Sequence, residues 1–94
     1  MSATWTYSIG DGGHIKVGRC SGPNGLDPVI RRMKALQTGN PRPLFLLGVF
    51  GHDIEREAHL ALKQAGVVRA AGEWFPDTEL TRSTLRALRL MDWG

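Results

Sequence analysis

Trp5, Tyr7 and Ile9 alternate with Thr4, Thr6 and Ser8. A period of two predicts a strand with one buried face. Gly10-Asp11-Gly12-Gly13 is dense in residues that tolerate positive φ and predicts a turn. Alternation resumes from His14 to Arg19, with Ile15 and Val17 on one face and His14, Lys16 and Gly18 on the other. The two strands and the glycine turn make a hairpin. Helical spacing then takes over at Val29, Ile30, Met33 and Leu36–Gln37. Asp27 offers an N-cap and Pro28 suits the first helical position; Gly39-Asn40 followed by Pro41 is a stop. A helix is predicted from about Pro28 to Thr38. On it Arg32 lies on the shoulder of the apolar stripe and Arg31 points away.

Leu44 to Phe50 is a nearly continuous apolar run, which predicts a central strand covered on both faces. Asp53 can cap a second helix, about Ile54 to Ala65, whose stripe is Ile54, Ala58, Ala61, Leu62 and Ala65. Glu57 falls on one shoulder of that stripe, Glu55 on the opposite shoulder beside Leu62, and Arg56 points outward. Gly66 closes the helix. Val67 to Gly72 is a connector, and Gly72-Glu73-Trp74-Phe75-Pro76 is a compact aromatic segment. Asp77 or Thr78 caps a third helix with Leu80, Thr84, Leu88 and Met91 on its face. The order is β-β-α-β-α-α. It predicts an α+β fold, a three-stranded antiparallel sheet flanked by helices, as a single domain over residues 1–94.

Ninety-four residues, 41% of them hydrophobic, suffice for one core and leave no room for a second domain. No apolar run approaches the roughly 20 residues of a membrane span. The N-terminus MSATWTYSIG lacks the basic and apolar regions of a signal peptide. One cysteine, Cys20, makes no internal disulfide, so a cytoplasmic setting is expected. Net charge is +3 with a pI near 9.6, which allows a polyanionic partner without demanding one.

Walker A, GxGxxG, HExxH and CxxC motifs are absent, and His14, His52 and His59 share no zinc-site spacing. Tyr7, Lys16, Arg32 and Glu57 remain. Singly, each has a structural explanation: a core phenol at a sheet edge, or a solvated charge. Together they are the groups that metal-assisted phosphodiester hydrolysis uses. A carboxylate holds Mg²⁺, cations neutralise the phosphorane, and a phenol handles the proton of the attacking water.

In order along the chain stand Thr6-Tyr7, Lys16-Val17-Gly18, the helix bearing Arg32 that closes on Leu36-Gln37-Thr38-Gly39-Asn40-Pro41, then Glu55-Arg56-Glu57-Ala58-His59, then Gly72-Glu73-Trp74-Phe75. This series resembles the GIY-YIG nuclease superfamily, in its small phage and bacterial subgroup. The resemblance implies a DNA endonuclease using Mg²⁺ or Mn²⁺, with Tyr7, Lys16, Arg32 and Glu57 catalytic and Glu57 the metal ligand. His14, Arg19, His59 and Glu73 are the further substrate-binding candidates. Lys16 stands where the second motif has tyrosine, and the first motif lacks its glycine and isoleucine. The partners implied are DNA and, for so small a domain, a protein partner or a second copy. The competing expectation is a nuclease-fold module that binds nucleic acid or a host protein without cutting.

Overall fold

The computed structural model describes residues 2–93. Strands β1 (Ser2–Gly10) and β2 (His14–Pro23) form the expected hairpin. Helix α1 (Asp27–Gln37), strand β3 (Phe45–Phe50), helix α2 (Glu55–Gln64), strand β4 (Trp74–Pro76) and helix α3 (Glu79–Ala87) follow. The sheet is antiparallel, four-stranded, in the order β3-β1-β2-β4. It corrects the three-stranded expectation. β4 is only three residues long, too short for a period of two to declare itself. It forms because Phe75 enters the core beside its register partner Ile15 while the backbone pairs with His14–Lys16.

The register places Trp5, Tyr7 and Ile9 on one face of the sheet with Lys16, Gly18 and Cys20. α1 covers this face, and Val29, Met33 and Leu36 close a core over Tyr7 and Ile9. The other face carries Ile15 and Val17 and is covered by α2, α3 and the segment after α3, through Ala58, Leu62, Leu85, Leu90 and Met91. Each large apolar side chain buried in these cores contributes about 1.5–3 kcal/mol. Two cores on a central sheet explain why β1 is buried on both sides. Thr6 and Ser8, expected on a polar face, are fully buried. Thr6 Oγ1 donates to the His52 carbonyl at 2.8 Å and accepts from the Ile54 N–H at 2.8 Å, and Ser8 donates to the Leu90 carbonyl. The hydroxyls stitch loops to the sheet, which is why burial there is tolerated.

β3 is an edge strand, not the central one its apolar run suggested, and Phe45 is exposed. Its residues are apolar because both cores reach the edge: Leu46 and Val49 join the α1 side, and Leu47 and Phe50 the other. Trp93 N–H covers part of that edge by donating to the Leu47 carbonyl at 2.9 Å.

The helix ends differ in detail from expectation. Asp27 is the first residue of α1 rather than its cap; at α2 Ile54 holds the N-cap position, and Asp53, one residue earlier, accepts from the Glu55 N–H at 3.4 Å. Thr78 does cap α3, accepting from the Thr81 N–H. Ile30, Ala65 and Leu80 are exposed, and α3 buries Thr81 and Leu85 instead of Leu80. The Leu36–Pro41 stretch ends as expected, with Gly39 at φ +77°. Gln37 fixes the exit: its side-chain amide donates to the Asn40 and Arg42 carbonyls and its oxygen accepts from the Leu44 N–H. Among the described residues no helix is long and apolar enough to cross a membrane.

Candidate functional site

β4 pairs with β2 only as far as Lys16, so beyond it the β2 edge is open to other groups. Val17 bridges the gap. Its N–H donates to the Glu73 carbonyl at 3.1 Å, and its carbonyl lies 2.9 Å from His59 Nε2. Three chain segments meet at this point: the middle of β2, the start of β4 and the first turns of α2.

Tyr7 comes to the same place from the neighbouring strand. Its register partner is Gly18, and the phenol lies across that glycine. A Cβ at Gly18 would stand 2.5 Å from Tyr7 Oη and 3.3 Å from Glu73 Oε1. Glycine is therefore required here by the approach of two side chains, not by its backbone angle. Tyr7 is fully buried, and its hydroxyl makes no hydrogen bond of ordinary geometry among the described residues, although the Arg32 guanidinium lies close enough to pull on its oxygen. Burial pushes the phenol up to about 12, against the pull of the Arg32 guanidinium and with a further push from the Glu73 carboxylate. Tyr7 is therefore a neutral phenol at ordinary pH, held close to one cation and one anion.

Lys16 and Glu73 form an ion pair of 2.6 Å, with the Lys16 side chain only 12% exposed. The Lys16 ammonium also lies 5.9 Å from the centre of the Trp74 ring. A ligand atom from each of Glu55, His59 and Glu73 falls within 4.8 Å of the others, and all three residues are half-buried. Because the Val17 carbonyl can only accept, the bond to it puts the hydrogen on His59 Nε2 and leaves the lone pair on Nδ1. Phe75 meets the imidazole edge-on, with ring centres 5.1 Å apart, and holds it upright. Two carboxylates and one imidazole are a donor set that suits Mn²⁺ and, through its oxygens, Mg²⁺.

Of the residues expected from sequence, the structure brings Tyr7, Lys16, His59 and Glu73 to this point, with Arg32 within electrostatic reach of the phenol. Glu57 is not in the group; it is exposed, and Glu55 stands there instead. The reason is angular. α2 buries Ala58 and Leu62, and at 100° per residue Glu55 lies about 40° from that direction and Glu57 about 120°. Counting Ala61 and Ala65 as stripe residues swung the apparent direction toward Glu57, yet Ala65 is exposed. The i,i+4 spacing of Glu55 and His59 was the signal that could have found the pair. Glu57 instead borders a shallow depression with Phe50, Ile54, Leu88 and Arg89.

Arg19 lies just outside, bonded to Asp53 at 2.8 Å, an exposed pair in which the carboxylate raises the guanidinium's affinity for its proton. With Glu55, Arg56 and Glu57 these two residues line a polar cleft of about 360 Å³ that opens beside Glu55. His14 sits apart at the hairpin turn, where Asp11 accepts its backbone N–H and faces its ring at 3.8 Å. Protein-family models, curated proteins and solved structures yield no match to this chain.

Proposed function

We propose that this chain is a divalent-metal-dependent endonuclease acting on DNA phosphodiester bonds, built as a small GIY-YIG nuclease. One observation carries the reading. A buried phenol without a partner points across a glycine at a carboxylate that belongs both to an ion pair with lysine and to a group of three metal-type ligands. A structural core has no use for that combination, since the orphaned hydroxyl costs about 1–3 kcal/mol.

In this reading Glu55, His59 and Glu73 would hold Mg²⁺ or Mn²⁺, which would supply positive charge beside the phosphate and a more acidic water. The chain's own groups do the rest. Arg32 neutralises charge that develops on the phosphoryl oxygens, and Lys16 contributes a second cation. Tyr7, protonated at neutral pH, donates a hydrogen bond toward a phosphoryl oxygen, and the attacking water gives up its proton to solvent.

The test is plasmid nicking with Mg²⁺, with Mn²⁺ and with EDTA. Wild type should cut only with metal. Glu55→Gln should lose cleavage by about 10²–10³-fold, the scale of one lost stabilising group, while Glu57→Gln cuts within a few fold of wild type. Loss with Glu57→Gln and retention with Glu55→Gln would overturn the ligand assignment. A wild type that binds DNA but never cuts it would replace the enzyme with a binding module.

A further inference from the structure

His59 has a second neighbourhood. On the side away from Tyr7, a cleft of about 600 Å³ is lined by His59, Leu60, Lys63, Val67, Val68 and Arg69, with Phe75 at its base. Its floor is apolar and buried, made by Val67 and Phe75. Its rim is apolar and exposed: Leu60 is 52% and Val68 79% accessible. Two cations complete the rim. The Arg69 guanidinium lies 5.8 Å from the Phe75 ring centre, and neither Arg69 nor Lys63 has an acidic partner among the described residues.

An apolar slot bordered by unpaired cations complements a ligand that is flat and apolar in one part and anionic in another. A nucleotide has that shape: a base with two apolar faces and a phosphate on either side. The volume falls within the 300–1,000 Å³ typical of small-ligand sites. The cleft also adjoins the candidate metal group, because His59 belongs to both. A base inside a duplex has both faces covered by its neighbours and cannot enter a slot of this kind, whereas an unstacked base can.

We infer that this cleft binds an unpaired nucleotide adjoining the scissile phosphate, so that the preferred substrate is DNA with a single-stranded element at the cleavage point. The inference rests on the nuclease reading for the word scissile. The binding it describes stands by itself.

The experiment is fluorescence anisotropy in EDTA, where nothing is cut, with a labelled single-stranded oligonucleotide and a blunt duplex of the same sequence. Wild type should favour the single strand. Val68→Glu, at a position too exposed to affect folding, should weaken single-strand binding about tenfold and leave duplex binding nearly unchanged. Lys63→Gln should also weaken single-strand binding. Equal affinity of wild type for both forms, or single-strand binding untouched by Val68→Glu, would overturn the inference, as would binding of an acidic peptide in place of either DNA. Nicking assays separate the two readings. Metal-dependent cutting with an unaltered Val68→Glu variant removes the cleft and keeps the enzyme. A strand preference lost in Val68→Glu without any cutting keeps the cleft and removes the enzyme.

Discussion

A buried hydroxyl without a partner lowers stability by about 1–3 kcal/mol, and Tyr7 carries one. Tyr7→Phe keeps the ring among Ile9, Cys20 and Val29 and deletes only the orphaned oxygen. The variant should melt at a higher temperature than wild type and cut at least about 10²-fold more slowly. A lower melting temperature would mean that the hydroxyl has found a partner and is structural. Tyr7 is the only tyrosine in the chain, so tyrosinate absorbance reports it alone. Its titration midpoint should be about 12, where the ordinary value is 10.0. The sign follows: the folded state holds the proton longer than the unfolded chain, so this contribution to stability is complete below pH 10 and is lost as pH rises toward 12. A midpoint near 10 would place the phenol in water. At this scale the sequence was informative for Tyr7, Lys16 and Arg32, whose positions follow from strand alternation and helical angle. It favoured Glu57 over Glu55, the one that stands beside Glu73, because alanine is small enough to sit on either side of a helix boundary and gives a weak direction. Glu73 was legible as a candidate, but its 2.6 Å approach to Lys16 spans 57 positions and no local pattern carries it.

The elements are arranged so that strand register, more than any loop, builds the site. β1 and β2 place Tyr7 opposite Gly18, and the phenol occupies the space where a side chain at position 18 would stand. Gly18→Ala should therefore cost about 1–3 kcal/mol by overpacking and should disable the site. Gly12→Ala is the comparison: nothing lies within 4 Å of its Cβ, and only its φ of +94° opposes a side chain. Combining Gly18→Ala with Tyr7→Phe removes the nearest clashing atom but not the ring carbon at 2.7 Å, so part of the lost stability should return. Strictly additive melting data from the three variants would show that residues 7 and 18 do not meet. The hairpin and all three helices were legible from period and punctuation. The fourth strand was not, because three residues carry no period. The rank of β3 in the sheet was not legible either, since two cores that reach an edge strand make it as apolar as a central one.

Across the whole molecule, the site lies where the three layers meet, at the stretch of β2 that β4 leaves unpaired, with α1 on one face of the sheet and α2 on the other. The charges are sorted around it. Among the described residues the ion pairs use His14, Lys16, Arg19, Arg82 and Arg86, whereas Arg31, Arg32 and Lys34 on α1 and Arg56 and Lys63 on α2 have no acidic partner. A net charge of +3 understates this, because the acids are concentrated in the pairs and in the ligand group. Cations left free on both helices flanking one edge fit a polyanion laid across that edge, with its phosphates neutralised from both sides. Binding of duplex DNA in EDTA should then weaken as salt rises, with log K falling by about 0.9 for each phosphate neutralised per decade of salt. Arg31→Ala combined with Lys34→Ala should reduce that slope by about one for each phosphate that is no longer neutralised. The melting temperature should stay nearly unchanged, since both side chains are exposed. Arg82→Ala is the control: its guanidinium is held by Asp77 through bonds of 2.6 and 2.8 Å, so its removal should leave the slope alone. A slope that Arg82→Ala changes and the α1 pair does not would move the DNA to the opposite side of the sheet, away from Tyr7 and Glu73.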